Sequence, residues 1–255
     1  MRLGILPAAG KAERWGGYLK ELLPVSRNST LLSRAVDSLQ VCGCDVVVVV
    51  TNPSKVQWHA HHLKQVANIV FAIQKGEELW GAITTAIEIK ADEYYFMMPD
   101  TFVPPRPFPE TLGNELAMGL FATEEPERFG VVRDGGILDK QPSVSPGRAW
   151  GTLAWRHSVV EYWDGRDYPS HTEALNEALS VFGFGEWNLE YYYDIGSMKH
   201  YMEFLRSEHA VGPDGEPFAG ISDMIERMRR LAEYSPAHVS ERQLLSLLTE
   251  VTPHD

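Results

Sequence analysis

Five consecutive valines, Val46–Val50, follow Asp45 in this chain. A β-branched run bounded by turn formers predicts a strand covered on both faces, and such strands belong to parallel sheets. Strand and helix patterns alternate around it. Leu3–Pro7 reads as a short strand, and Leu31–Val41 as a helix capped by Ser29 or Thr30. Residues 54–66 read as a helix, Ile69–Ile73 as a strand, 78–90 as a helix and Tyr94–Met98 as a strand. The order β-α-β-α-β-α-β predicts an α/β fold of three layers, with a mainly parallel, Rossmann-like sheet and right-handed crossovers.

Beyond residue 115 the pattern changes. Ala117–Thr123, Gly130–Val132, Ile137–Lys140 and Trp150–Trp155 predict short strands in mixed or antiparallel pairing. Residues 157–163 and 171–180 read as helices, and Tyr191–Asp194 ends a last strand. From Met198 helices dominate, at 198–207, 220–233 and 240–249. The turn-rich Val211-Gly212-Pro213-Asp214-Gly215 divides the chain. Residues 1–210 are expected to form the α/β domain, and 211–255 a helical extension packed on it that is also a candidate homodimer face.

The formal charge of −12 argues against a nucleic-acid partner, whose backbone needs a basic face. No apolar run reaches the ~18 residues of a membrane span, and no signal peptide is evident. The expectation is a cytoplasmic protein with no membrane partner. Cys42 and Cys44 are too few for a disulfide framework and read as buried packing at a strand entrance. His59 and His62 have no Cys or carboxylate companion nearby and read as a solvated helix face rather than a metal site.

An acidic protein that handles an anionic ligand must gather its cations locally or recruit a metal. The segment Leu6-Pro7-Ala8-Ala9-Gly10-Lys11-Ala12-Glu13-Arg14 leaves the first strand as a loop of small residues. Exposed N–H groups in such a loop form an anion-binding concavity, to which Arg14 and Lys20 add charge. The loop is neither a Walker A nor a G-x-G-x-x-G motif. Lys20-Glu21-Leu22-Leu23-Pro24-Val25 follows. In Met97-Met98-Pro99-Asp100-Thr101 a carboxylate ends a strand, at the edge where open parallel sheets hold ligands. Asp100 suits Mg²⁺ as a hard oxygen donor, and it would also serve as an N-cap of the following loop. Tyr193-Asp194-Ile195-Gly196-Ser197 supplies a second carboxylate before a helix that Ser197 can cap.

In this order, the three blocks resemble those of the sugar-1-phosphate nucleotidyltransferases, the nucleoside-diphosphate-sugar pyrophosphorylases, such as the glucose-1-phosphate thymidylyl- and uridylyltransferases. The resemblance spans about residues 3–206. It implies a glycosyltransferase-A/nucleotidyltransferase type of fold, and a reaction joining a nucleoside triphosphate to a sugar 1-phosphate with release of pyrophosphate. It implies Mg²⁺ or Mn²⁺ held by Asp100 and Asp194, with Arg14, Lys20 and Asp100 catalytic. Ala8, Ala9, Gly10, Gln74 and Gly81 would bind the nucleotide, Gln74 reading the base and Gly81 lying beneath the ribose. Gly130-Val131-Val132 and Leu138-Asp139-Lys140-Gln141-Pro142 resemble the sugar-phosphate blocks. Either Lys140 and Gln141, or Asp139 and Lys140, take the acid–cation pair there. The second register keeps a cation beside the phosphate and is preferred. Gly151 and Glu173 complete the sugar site by the same resemblance. Ala12 and Glu13 depart from the family pattern, which has Gly and a small Thr or Ser there. The departure leaves two other readings open: an enzyme that isomerises or transfers the sugar of a preformed nucleoside-diphosphate sugar, and a nucleotide-sugar sensor.

Overall fold

The structure, a computed structural model, describes residues 1–11, 15, 18–26, 29–140, 147–207 and 209–210. Ala12, Glu13, Arg14, Gln141 and the expected helical extension lie outside the described residues.

The first half runs β1 (Arg2–Pro7), α1 (Leu31–Val41), β2 (Val46–Thr51), α2 (Val56–His62), β3 (Ile69–Ile73), α3 (Glu78–Ile87) and β4 (Glu93–Met97). The second half runs β5 (Thr101–Phe102), β6 (Leu116–Thr123), β7 (Gly130–Arg133), β8 (Gly136–Asp139), β9 (Gly147–Arg156), α4 (His157–Trp163), α5 (His171–Phe182), β10 (Gly185–Asn188), β11 (Tyr193–Asp194) and α6 (Met198–Leu205). The main sheet is ordered β10-β6-β9-β4-β1-β2-β3, with the β7–β8 hairpin joined to β9. Along that path β9 alone is reversed, so the sheet is mainly parallel as the alternating pattern predicts.

The valine run explains the layering. Val48 and Val50 pack on one face with Ala82, Ile83 and Ala86 of α3 and Leu175 of α5. Val47 and Val49 pack on the other with Leu32, Val36 and Leu39 of α1. Burying each such side chain is worth about 1.5–3 kcal/mol relative to exposure. Thr30 caps α1: its hydroxyl accepts from Ser33 N, and the Ser33 hydroxyl accepts from Thr30 N. Helix α2 is shorter than the expected 54–66. The Asn52 carboxamide oxygen accepts the backbone N–H groups of Ser54 and Lys55, so those residues form a side-chain-closed turn before the helix. Two strands were not anticipated. β5 is only two residues long, and the four residues of β10 are too few to set a period.

Cys44 is buried and Cys42 half-buried, as packing at a strand entrance requires. Burial pushes the Cys44 thiol up to about 12, so it is not a reactive group. Among the described residues no helix is long and apolar enough to cross a membrane.

Candidate active site

Parallel strands deliver their C-terminal ends to one edge of the sheet. Here β1, β2, β3 and β4 end at Pro7, Thr51, Ile73 and Met97, so Ala8–Lys11, Asn52, Gln74 and Met98–Asp100 meet there. Two adjoining cavities open on that edge. The first, of about 520 Å³, is lined by Ala9, Gly10, Lys11, Asn52, Gln74 and Gly76 among others. The second, of about 700 Å³, is lined by Lys20, Asp100, Arg128, Lys140, Tyr192 and Asp194 among others. Glu78, Leu79 and Met98 line both and so mark the junction.

Asp100 is followed directly by a strand, Thr101–Phe102, rather than by a loop it could cap. That strand pairs antiparallel with β11, setting Asp194 opposite Thr101, and Ile195 N donates to Asp100 O at 3.0 Å. The short ladder thus makes neighbours of two carboxylates far apart in the chain. Each carries a cation. Lys20 Nζ pairs with Asp100 Oδ2, and Arg128 Nη2 donates to Asp194 Oδ2 at 2.6 Å. Burial pushes the Asp100 carboxyl above its usual range; Lys20 opposes this and Asp194 adds to it. For Lys20 burial acts downward, but Asp100 and then Asp194 outweigh it and hold the ammonium above its ordinary value. Ser197 accepts from His200 N and caps α6, which follows directly.

Among the described residues no three His, Cys, Asp or Glu side chains converge as a metal-ligand group. The two carboxylates nevertheless suit a hard cation that takes one or two protein oxygens and completes its shell with phosphate and water. Each existing ion pair engages a single carboxylate oxygen, Oδ2 in both cases.

The residues expected to bind the nucleotide divide. Ala9 and Gly10 line the first cavity, whereas Ala8 lies behind it. The Ala8 N–H is spent on Val50 O at 2.7 Å and its carbonyl faces inward to Lys55. Gln74 lines the cavity, and its Nε2 donates to Glu78 O at 2.9 Å and Gly76 O at 3.3 Å. Two carbonyl acceptors fix the amide orientation and leave Oε1 as the acceptor toward a ligand. Gly81 is buried and is not among the lining residues. A Cβ there would meet Lys75 O at 2.5 Å, so this glycine admits the Lys75–Gly76 backbone rather than lying open beneath a sugar ring.

On the other side Asp139, Lys140 and Glu173 all line the second cavity. Lys140 has left-handed backbone, φ 51°, which is uncommon away from glycine. The preceding strand is pinned by Asn176, whose amide donates to Ile137 O at 3.0 Å and accepts from Ile137 N at 2.7 Å. Gly151 is not among the lining residues. Its open side is filled by the Tyr192 ring, which a Cβ would meet at 2.5 Å and which stacks on Phe121 at 4.1 Å. Tyr192 itself lines the cavity. Burial, with the nearby Asp194 and Asp100 charges, holds its phenol far above the usual range.

Two groups escaped the sequence reading. Arg128 ends the Pro126–Arg128 turn and binds Asp194, Glu125 and His200; its position just before Gly130-Val131-Val132 was the available signal. His59 corrects an expectation outright. It is fully buried, not solvated, because Glu21 reaches it from the Lys20–Leu22 turn at 2.8 Å.

The model of the MobA-like NTP transferase domain family matches residues 4–183. No curated protein matches the chain by sequence. Among solved structures, a Bacillus anthracis protein assigned as a glucose-1-phosphate thymidylyltransferase, in complex with sucrose, is similar at TM-score 0.71 and 18% identity, over 80% of this chain and 94% of that one. A UDP-glucose pyrophosphorylase complexed with UDP-glucose gives TM-score 0.62 at 18% identity, over 80% and 97%. A UTP-bound UGPase from Acinetobacter baumannii gives 0.63 at 14%, over 80% and 92%. At these identities the likeness is one of fold.

Proposed function

The chain belongs to the MobA-like NTP transferase domain family, and on that premise we propose that it joins a nucleoside triphosphate to a sugar 1-phosphate, giving a nucleoside-diphosphate sugar and pyrophosphate. The observation that carries this reading is the pair of adjoining cavities on the sheet edge, with Lys20, Asp100 and Asp194 on the far side of their junction. The triphosphate occupies the first cavity and the sugar phosphate the second. The solved relatives lend support, since their ligands are nucleotides and sugars.

A phosphate oxygen of the sugar 1-phosphate attacks the α-phosphorus in line, a P–O bond forms, and the bond to the β-phosphate breaks to release pyrophosphate. The nucleophile is already ionised, so no general base is needed. The chain's task is positioning and charge stabilisation. Ala9 and Gly10 offer backbone amides to the polyphosphate, and Lys11 and Arg14 offer charge. Gln74 Oε1 accepts from a base that presents an N–H on its pairing edge, as uracil, thymine and guanine do. Lys20 lies between the two anions, and Lys140 holds the sugar phosphate with Asp139 and Glu173 directed to hydroxyls. Asp100 and Asp194 would hold Mg²⁺ or Mn²⁺, which would supply charge to neutralise the phosphates.

The same reading assigns residues 1–210 to the catalytic unit, 211–255 to a helical extension with a candidate dimer face, and the enzyme to the cytoplasm. It is tested by a pyrophosphate-release screen of UTP, dTTP, CTP and GTP against a panel of sugar 1-phosphates with MgCl₂. Turnover is expected with at least one pair. Absence of pyrophosphate with every pair, together with turnover of a supplied nucleoside-diphosphate sugar, would replace synthesis by sugar isomerisation or transfer.

A further inference from the structure

Behind the loop that follows β1 lies a buried charged network that the reaction as proposed does not use. Glu21 is 2% exposed, Lys55 4% and His59 0%. Lys55 Nζ donates to Glu21 Oε1 at 2.9 Å and to the Ala8 carbonyl at 3.2 Å. His59 Nε2 donates to the same Oε1 at 2.8 Å, and its Nδ1 lies 2.9 Å from Thr51 Oγ1. One residue further along the loop, Asn52 Nδ2 donates to the Ala9 carbonyl at 2.7 Å.

Two consecutive carbonyls are therefore drawn toward the connection between β2 and α2. In a trans peptide the N–H points opposite to the C=O of the same unit. Pulling back the Ala8 and Ala9 carbonyls turns the Ala9 and Gly10 N–H groups the other way, together. Successive N–H groups on one side of a loop are what an anion concavity is made of. A buried ion pair is seldom more stabilising than an apolar pair of the same volume, so the charges call for a reason beyond stability. The Lys55 side chain is the group that reaches the Ala8 carbonyl, and Glu21, itself held by His59, faces it with the opposite charge. Glu21 also neighbours Lys20 in one turn, so the amide loop and the lysine opposite Asp100 share a single frame.

We propose that Lys55, seated by Glu21 and His59, is a positioning residue that acts with Asn52 to aim the Ala9 and Gly10 amides at the nucleotide's polyphosphate. The assignment rests on the triphosphate reading above.

The test uses two variants of the full chain. Lys55→Met/Glu21→Gln removes the grip on Ala8 while leaving no unpaired buried charge. Asn52→Ala removes the grip on Ala9 from a half-buried position and carries the test if the double variant fails to fold. Amide hydrogen exchange at Ala9 and Gly10 is followed without ligand, and binding is titrated with UTP, dTTP, CTP, GTP and inorganic tripolyphosphate in MgCl₂. Exchange is expected to accelerate, and Kd for triphosphate and tripolyphosphate to rise about tenfold, the equivalent of one hydrogen bond to a charged group. The KM of the sugar phosphate should stay fixed while that of the triphosphate rises. A merely structural network would lower Tm without this split. Unchanged loop exchange or unchanged tripolyphosphate affinity in a folded variant overturns the proposal. Failure of the wild type to bind any triphosphate overturns the function it rests on, while the exchange comparison still decides the clamp.

Discussion

Gly81→Ala is a small change with a directed effect. The residue lies in the first turn of α3, where alanine's helix preference over glycine contributes about 1 kcal/mol. Against this stands the close approach of the preceding loop. The new Cβ would sit 2.5 Å from Lys75 O, 3.2 Å from the Gly76 carbonyl carbon and 3.4 Å from Gln74 Nε2. The carbonyl must retreat by about 0.5–0.9 Å to reach 3.0–3.4 Å. It is backbone and anchored, since Lys75 N donates to Thr85 Oγ1 at 2.8 Å and Gln74 N to Thr51 O at 2.8 Å. Overpacking of this kind costs about 1–3 kcal/mol, which leaves a net loss of roughly 0–2 kcal/mol. For a domain of this size that lowers Tm by less than about 8 °C. The displacement falls on Gln74 and Gly76, which line the first cavity, the one proposed for the triphosphate. A misplacement approaching 1 Å can cost about a hundredfold, so the KM for triphosphate should rise by roughly ten- to a hundredfold. Pyrophosphate release against triphosphate concentration, paired with a thermal melt, measures both quantities. A raised Tm with an unchanged KM would show that α3 takes the methyl without moving the loop, and the reasoning would fail.

Asp100→Asn and Asp194→Asn should each abolish the dependence of nucleotide binding on Mg²⁺ with the fold intact; calorimetry showing unaltered Mg²⁺ affinity in both would end the metal assignment. Lys140→Ala should weaken sugar 1-phosphate binding roughly ten- to a hundredfold, from ~1.5–3 kcal/mol for a charge-assisted bond, and leave triphosphate affinity intact. Equal losses for both substrates would refute its place on the sugar side. Burial raises the Glu21 carboxyl, but the His59 bond and Lys55 outweigh it and hold it below its ordinary 4.5. Its stabilisation is therefore present above that value and is lost as pH falls through the lower folded-state value. Glu21→Gln should flatten the acid side of the stability profile below about pH 4.5, measured by urea midpoints; a profile as steep as wild type would count against it.

The valine run was legible because a strand buried on both faces leaves its mark in composition, without help from partners. Asp100 stood out in the sequence because it follows the apolar pattern Tyr94–Met98, and Asp194 because it ends a strand pattern before a helix that Ser197 can cap; the two-residue strand that brings them together was not visible. Lys140 was legible only through its neighbours in sequence, and its register opposite Gln141 stays with a residue outside the described set. The buried network was illegible for a different reason. Lys55, just before a short helix, and His59, on it, stand four apart in the manner of a solvated face, until Glu21 arrives from 34 and 38 residues away. Gly151 and Gly81 looked like openings for a ligand. Which body fills the space beside a glycine is decided by tertiary packing, here the Tyr192 ring and the Lys75 backbone.

The two-residue ladder between β5 and β11 orders events in time. Strands β1 to β4 can associate as soon as the first half of the chain exists, and Asp100 then already faces Lys20. Tyr193 and Asp194 come to lie along Phe102 and Thr101 only after nearly all of the domain has been made. A nascent chain halted before Tyr193 thus has its parallel strands assembled and one of its two acids still to arrive.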